Sequence, residues 1–256
     1  MIDLHGRSAL VTGSTSGIGE AIARGLAAVG ADVVINGRRP ETVEQVAKEL
    51  GVRGVAGDVG TAAGAAGLVG RLPDVDILVN SAGVFEIQPV FEITDDDWLR
   101  LFEVNVLSGI RLTRHYAPRM VNRGWGRVVF VSSEAGIQTP TEMVHYGATK
   151  SAQLAVSRGI AQEVAGTGVT VNCVLPGPTL TEGVQSMLSR LYPELPDDEQ
   201  ERRYVSTGRA SASLLKRLIR PEEIANLVTY VASEQASATT GAALSVDGGM
   251  VPTIYP

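Results

Sequence analysis

Seven short apolar runs recur along the chain, and longer segments with helical patterning separate them. The runs are SALVTG (8–13), ADVVIN (31–36), VRGVA (52–56), VDILVN (75–80), GRVVFVSS (126–133), GVTVNCVL (168–175) and ALSVD (243–247). Apolar strands without strict alternation of buried and exposed positions are typical of a parallel sheet that helices cover on both faces. We therefore predict an α/β fold, with a doubly wound, seven-stranded parallel sheet in three α-β-α layers.

The length of 256 residues suits one such domain, and we predict that a single domain spans residues 1–256. Segment 179–218 departs from the rhythm of strand and helix, so we expect an insertion that forms a lid over the substrate pocket. Apolar side chains of this segment could line the pocket or could equally pack within the lid; they are Met187, Leu188, Leu191 and Tyr192.

Composition and charge argue against several kinds of partner. The formal net charge is −6 and the basic residues are scattered, whereas nucleic-acid binding rests on clustered Lys and Arg. No apolar run approaches the length of a membrane span and the start lacks the pattern of a secretory leader, so we expect a cytoplasmic protein with no membrane partner. Cys173 is the single cysteine and lies in an apolar run, which predicts a buried, inert thiol. We expect no metal site.

The first predicted strand ends in the glycine-rich stretch TGSTSGIGE, which leads into a helix. Glycines in such a turn let the backbone approach a phosphate, and the free N–H groups at the helix start can bind it. An ordinary strand-to-helix turn could also carry these glycines, but their context is that of a Rossmann-type dinucleotide site. We predict cofactor contacts from Gly13, Ser14, Thr15, Ser16, Gly17, Ile18 and Gly19.

The end of the second strand, NGRRPE, bears on which dinucleotide is bound. NAD-dependent Rossmann enzymes place an acid here for the ribose hydroxyls, and NADP-dependent enzymes place an arginine for the 2′-phosphate. Gly37 stands where the acid would be, and Arg38 and Arg39 could pair with the phosphate. We predict NADP as the cofactor, with NAD as the alternative if both arginines only form a solvated loop.

Further motifs follow in a fixed order along the chain. They are Asp58 after the third strand, NSAG (80–83), Asn105 in FEVNV, Ser133 at the end of the fifth strand, Tyr146-x-x-x-Lys150, PGP (176–178) and VDGG (246–249). Together with the G-x-x-x-G-x-G spacing, this order resembles the short-chain dehydrogenase/reductase family. The resemblance implies further cofactor contacts from Asp58, Val59, Asn80, Ala82, Gly83, Tyr146, Lys150, Pro176, Gly177 and Thr179. Ser16 departs from the pattern, because many NADP-dependent relatives carry a basic residue there.

Tyr146 and Lys150 lie four residues apart, so in a helix they share one face. A free tyrosine has a pKa near ~10, and a neighbouring ammonium would stabilise the phenolate and allow general acid-base chemistry near neutral pH. Strand alternation turns Ser132 and Ser133 to opposite faces, and the resemblance selects Ser133 to hold the substrate oxygen. It makes Asn105 the fourth catalytic residue, which would hold a water that links Lys150 to bulk solvent.

These residues predict an oxidoreductase that transfers hydride between NADP(H) and a carbonyl or secondary alcohol of a small molecule, as a ketoreductase, a 3-oxoacyl reductase-like enzyme or an alcohol dehydrogenase. The alternatives are an NAD-dependent dehydrogenase of the same family and a non-catalytic dinucleotide-binding sensor. The resemblance also implies a homotetramer or homodimer that pairs helices 97–122 and 146–166. We expect His145 at the rim or cap of its helix, and Glu134 either at the substrate mouth or capping a helix.

Overall fold

The computed structural model describes residues 1–253, except for the side chain of Arg209. Its strands are β1 (Ser8–Val11), β2 (Asp32–Gly37), β3 (Arg53–Ala56), β4 (Ile77–Asn80), β5 (Gly126–Val131), β6 (Val169–Pro176) and β7 (Ala243–Val246). All pair in parallel in one sheet, in the order β3-β2-β1-β4-β5-β6-β7. The predicted doubly wound, seven-stranded parallel sheet of a single Rossmann-type domain is confirmed.

Helices cover both faces of the sheet. They are α1 (Gly17–Ala28), α2 (Pro40–Leu50), α3 (Ala62–Arg71), α4 (Asp95–Phe102), α5 (Ser108–Arg123), α6 (Val144–Glu163), α7 (Glu182–Leu191), α8 (Asp197–Ser206) and α9 (Pro221–Val231). On one face α1, α2 and α9 bury apolar side chains that include Ile22, Leu26, Val43, Ile224 and Val228. On the other face α3, α5 and α6 bury Leu68, Leu112, Tyr116 and Ala161, among others. These two cores give the predicted three layers.

The strand order determines where a ligand site can form. After the edge strand β3, the chain returns to the centre and places β4 beside β1, on the side opposite β2. Open α/β sheets bind ligands at such a switch point, in the crevice beyond the carboxyl ends of the strands. The turn after β1 and the loops after β4 and β5 therefore open on one crevice.

The helix that precedes the catalytic motif differs from the prediction. Thr94 caps α4, since its Oγ1 accepts from the Asp97 N–H at 3.2 Å and Asp97 accepts from the Thr94 N–H at 3.3 Å. The predicted helix 97–122 forms within an unbroken helical segment from Asp95 to Arg123, but a π-helical turn over Glu103–Leu107 lies between α4 and α5 and contains Asn105. Turns of this kind are frequent at functional sites.

Segment 179–218 contains α7, α8 and a short 3₁₀ helix, as its mixed pattern predicted. These elements form an apolar cluster of their own, in which Leu188 is fully buried with Val205 and Leu218. Met187 and Tyr192 pack against this cluster, and Leu191 is 55% exposed. These contacts favour packing within the segment over pocket lining for the apolar residues of α7.

Two simpler expectations can be compared directly with the structure. Cys173 is buried as predicted, and burial raises the pKa of its thiol to about 11, which keeps it protonated at neutral pH. Within the described part of the chain, no helix has the length and apolar character that a membrane span needs.

Candidate active site

The glycine-rich turn after β1 is built by close backbone approach. Gly13 and Gly17 have φ angles of +61° and +57°, a region that glycine adopts at little cost. A Cβ on Gly19 would lie 2.3 Å from the Gly13 carbonyl oxygen, and one on Gly13 would lie 2.8 Å from Cα of Ala82. The turn is therefore compact, and only glycine fits at these two positions.

This turn exposes groups that suit an anion. The first N–H groups of a helix have no intrahelical partners, and the helix dipole adds positive potential there. Ser16 caps α1 without a hydrogen bond from its side chain to the helix, and both Ser16 and Gly13 are exposed. Such a helix start suits an anion such as a phosphate group.

Ser14 and Thr12 hold this region together from inside. Ser14 donates its N–H to the Asn36 carbonyl, and its hydroxyl donates to the Val11 carbonyl at 2.6 Å. The Thr12 hydroxyl accepts from the N–H groups of Ser81 and Ala82, at 3.0 and 3.1 Å. Ser14 thus has both of its donors engaged within the protein. Thr12 was not predicted from the sequence, although it joins the glycine turn to the NSAG loop.

The end of β2 presents the two predicted arginines to solvent. Arg38 and Arg39 are exposed, and Arg39 precedes the first turn of α2. A Cβ on Gly37 would lie 2.6 Å from Cγ2 of Thr15, so an acid at 37 would require the Thr15 side chain to shift. Asp58 is exposed at the end of β3, where its side chain accepts from the Gly60 N–H at 3.0 Å, and Val59 beside it is buried.

Tyr146 and Lys150 share one face of α6 and lie beside a cleft of about 450 Å³. Lys150 Nζ is 5.5 Å from the centre of the Tyr146 ring, and Phe85 packs edge-on against that ring at 6.2 Å. The glycine turn, the loop after β4 and the start of α7 complete the cleft; their lining residues include Gly13, Ser16, Gly17, Ile18, Gly19, Ser81, Gly83, Thr181, Glu182 and Gly183. The structure thus brings the predicted phosphate turn and the predicted acid-base pair to one cavity.

Lys150 is buried, and its ammonium group is held by the protein. Nζ donates to the Val131 carbonyl at 2.9 Å and to Oε1 of Gln153 at 3.2 Å. Burial lowers the pKa of Lys150 to about 8, and the charge of Glu134 acts in the opposite direction. The lysine is therefore mostly protonated at neutral pH and loses its charge as the pH rises through about 8.

The two serines at the end of β5 make different contacts. Ser132 lines the cleft, but its hydroxyl donates to the main-chain oxygen of Lys150 at 2.9 Å. The Ser133 hydroxyl donates to the Glu134 carboxylate and accepts from the Ala135 N–H at 3.1 Å. Glu134 is itself 96% buried, since its exposure is only 4%. Glu134 begins a 3₁₀ turn and accepts the hydrogen bond of Ser133, the serine that the sequence analysis selected.

Asn105 is buried and braces the loop after β4. Its side chain accepts from the Val84 N–H at 2.8 Å, donates to the Val84 carbonyl at 2.9 Å, and donates to the Thr149 hydroxyl at 3.0 Å. These bonds connect the loop to α6 one residue before Lys150. Both polar atoms of the Asn105 side chain thus bond within the protein, and the main-chain oxygen of Asn105 accepts from Gln153.

His145 does not lie at a helix rim as predicted. It is completely buried within α6, and its ring meets Trp98 of α4 edge-on at 6.0 Å. Successive helix residues point about 100° apart, which is why the neighbour of a cleft residue can face the protein interior. Sequence periodicity could not show that α4 covers this position.

Of the remaining predicted cofactor residues, Gly83 lines the cleft, and the others lie at or just after the ends of β4 and β6; they are Asn80, Pro176, Gly177 and Thr179. Asn80 is buried and donates to the Thr113 hydroxyl at 3.2 Å, while a Cβ on Gly83 would lie 3.6 Å from Lys150 Nζ. Pro176 ends β6, and Gly177 packs so closely on Asp247 that a Cβ would lie 2.8 Å from its Cα. Thr179 is buried, and its hydroxyl donates to the Gly177 carbonyl at 2.8 Å.

Comparison with known proteins identifies the family. The family model of the short chain dehydrogenases matches residues 7–191. The chain belongs to the short-chain dehydrogenase/reductase family. It is 51% identical over 263 residues to the uncharacterized oxidoreductase YvaG of Bacillus subtilis (strain 168), with 99% of each chain covered. It is 32% identical over 259 residues to the 3-oxoacyl-[acyl-carrier-protein] reductase FabG of Aquifex aeolicus, with 97% of this chain and 99% of the relative covered.

A solved structure of this family is similar over nearly the whole length. L-sorbose reductase from Gluconobacter frateurii, in complex with NADPH and L-sorbose, matches with a TM-score of 0.92 and 32% identity over 99% of each chain. These relatives support an enzyme, and this short-chain dehydrogenase/reductase is an oxidoreductase whose relatives are NAD(P)-dependent reductases and dehydrogenases.

We predict that Gly19→Ala disrupts the phosphate turn. The new Cβ must displace the Gly13 carbonyl, and forced overpacking of this kind costs about 1–3 kcal/mol or more. Urea unfolding should show that loss, and titration of the folded variant with NADPH should show weaker binding.

Gly67→Ala is the matched control. Gly67 lies exposed in α3 with open space around its Cα, so alanine should stabilise the fold by about 0.5–1 kcal/mol and leave NADPH binding unchanged. Equal effects of the two substitutions would contradict the close approach of Gly19 to Gly13.

Proposed function

We propose that this protein is an NADP(H)-dependent carbonyl reductase or alcohol dehydrogenase. The observation that carries the proposal is the Tyr146–Lys150 pair, which lies on one face of α6 beside the cleft that the glycine turn also lines. A dinucleotide-binding sensor has no need for an acid-base pair at this place. The full set of Asn105, Ser133, Tyr146 and Lys150 therefore favours catalysis.

The chemistry divides between cofactor and protein. When bound, the nicotinamide supplies hydride to a carbonyl carbon or accepts it from an alcohol. Tyr146 donates the proton to the substrate oxygen in reduction and removes it in oxidation. The Lys150 ammonium stabilises the phenolate and would also hold the cofactor ribose. The same residues serve both directions.

Ser133 orients the substrate oxygen in this scheme. A serine hydroxyl has one proton to donate, and in the structure that proton is directed to Glu134. Binding a carbonyl oxygen therefore requires the hydroxyl to turn away from Glu134. Hydroxylated ketones such as sugars are the proposed substrate class. The similarity to L-sorbose reductase supports the same substrate class.

NADP is the proposed cofactor, in preference to NAD. Position 37 is a glycine, so it carries no carboxylate that would repel a 2′-phosphate. The exposed guanidinium groups of Arg38 and Arg39 can pair with the phosphate. Solved relatives contain NADPH or NADP, including the 3-oxoacyl reductase of Agrobacterium tumefaciens C58.

The proposal extends to assembly, location and the lid. Leu99 of α4 and Phe91 before it are exposed apolar residues, and burial against a second copy would remove them from water. We therefore propose a homotetramer or homodimer. We also propose that the protein is cytoplasmic and that segment 179–218 is its substrate lid. Light scattering should give a mass of two or four chains, and a monomer at micromolar concentration would contradict the assembly.

We predict that Tyr146→Phe removes activity but not cofactor binding. Loss of a general acid-base typically costs about 10²–10⁴-fold in kcat, whereas the ring and the nearby lysine stay in place. Initial rates with NADPH should be measured on a panel of ketoses, simple ketones and 3-oxoacyl thioesters, together with fluorescence titration of NADPH. Tyr230→Phe, on the exposed face of α9, is the control and should leave both turnover and NADPH binding unchanged. Full turnover by Tyr146→Phe would exclude the assigned role.

The cofactor preference has its own test. The double substitution Arg38→Ala with Arg39→Ala should raise KM for NADPH about 10–100-fold, because the two solvent-exposed charge-assisted contacts together are worth about 1.5–3 kcal/mol. KM for NADH should change less than about threefold, since NADH lacks the 2′-phosphate. Arg24→Ala, an exposed arginine of α1, is the control. An equal loss for both cofactors would favour the NAD alternative.

A further inference from the structure

Gln153 lies one helical turn beyond Lys150 on α6 and has only 2% of its surface exposed. Its side-chain oxygen, Oε1, accepts from Lys150 Nζ at 3.2 Å. Its side-chain nitrogen, Nε2, donates to the main-chain oxygen of Asn105 at 2.6 Å. The side chain therefore connects the lysine directly to the π-helical turn that precedes α5.

We infer that Gln153 is a positioning residue, which holds the Lys150 ammonium in place beside Tyr146 through the direct connection Lys150–Gln153–Asn105. The family resemblance assigns the link between Asn105 and the lysine to a water molecule. In this chain an amide side chain spans that distance.

The second contact of Gln153 sets the orientation of the first. An amide group has an acceptor end and a donor end, and the Asn105 carbonyl can only receive a donor. Because Nε2 is committed to that carbonyl, Oε1 must face the ammonium. The reversed orientation would place N–H groups against Lys150 and two oxygens against each other. The Asn105 carbonyl thus fixes Gln153, and Gln153 fixes the lysine.

Hydrogen bonds to the ammonium favour its charged form, which burial disfavours. Gln153 Oε1 and the Val131 carbonyl supply those bonds. The titratable groups that face Lys150 are Tyr146 on α6, Glu134 after β5 and Cys173 on β6. Burial lowers the pKa of Lys150 to about 8, so the lysine is close to losing its charge. Removal of one of these two acceptors should therefore shift the pKa of Lys150 measurably.

The composition allows this shift to be measured directly, because the chain contains three lysines, Lys48, Lys150 and Lys216. Protein labelled with ¹³C at the lysine ε-carbon should give three resolvable NMR signals. Lys150→Arg assigns the signal of interest. The pH titration of that signal is then compared among the wild type, Gln153→Leu and Gln153→Glu, with Gln162→Leu as a control on the exposed surface of the same helix.

The expected result is a shift of opposite sign in the two variants at 153. Gln153→Leu removes the acceptor and should lower the titration midpoint of Lys150 by about one pH unit. Gln153→Glu replaces it with a negative charge and should raise the midpoint by about one unit or more. Gln162→Leu should match the wild type. A Lys150 midpoint in Gln153→Leu that equals the wild-type midpoint would overturn the inference. If Gln153→Leu fails to fold, Gln153→Met takes its place, because methionine has a similar volume and also lacks the amide oxygen, and it should lower the Lys150 midpoint in the same way.

The role in catalysis rests on the proposed function and has a separate readout. In Gln153→Leu the kcat for alcohol oxidation at pH 9 should fall about tenfold with little change in KM, because a midpoint lowered from about 8 to about 7 lowers the charged fraction of Lys150 about tenfold at that pH. The pH profile should move with the lysine midpoint. A loss of kcat with an unmoved pH profile would count against positioning. If the wild type reduces no carbonyl, the proposed function fails, while the NMR titration still decides how Gln153 acts on Lys150.

Discussion

A buried ammonium group is the constraint on which the proposed active site depends. Lys150 is placed almost out of contact with water, where a charged group is unstable unless the protein supplies acceptors. The Val131 carbonyl supplies one acceptor from the end of β5, and Gln153 supplies another from α6. The strand and the helix must therefore keep their relative positions for the lysine to stay charged beside Tyr146.

The sheet meets this requirement through its topology. The return of the chain from β3 to the centre leaves a crevice at the carboxyl ends of β1 and β4, and β5 ends beside it. Thr12 joins the glycine turn to the loop after β4, and Asn105 joins that loop to α6. Phosphate turn and acid-base pair are thus connected by hydrogen bonds from buried side chains rather than by flexible loops.

The strands and the placement of Tyr146 and Lys150 could be predicted from the sequence, because both depend on local residue patterns. Apolar runs showed the strands, and the spacing of Tyr146 and Lys150 placed them on one helix face. The first run extended to residue 13, whereas β1 ends at Val11, because Gly13 already turns with a left-handed φ. The π-helical turn at Asn105 also escaped prediction, since no local residue pattern distinguishes it from a continuous helix.

The missed features depend on neighbours that are distant in sequence. His145 is buried because Trp98 from another helix covers it, and periodicity within α6 carries no such information. Gln153 in SAQLAV reads as an ordinary helix residue, and its two contacts become visible only when β5 and the π-helical turn pack against α6. From the sequence, Leu188 could line a pocket or pack within the lid. The structure shows that it packs within the lid, because α7 folds against α8.

Transfer of deuterium is the most direct test of hydride transfer in this cleft. The wild-type protein is incubated with NADPH deuterated at the reactive face of nicotinamide C4 and with a panel of hydroxylated ketones, and the products are analysed by mass spectrometry. We expect one deuterium on the newly formed carbinol carbon and an unlabelled proton on its oxygen. NADPH binding without deuterium in any product would contradict the account and favour a dinucleotide-binding sensor.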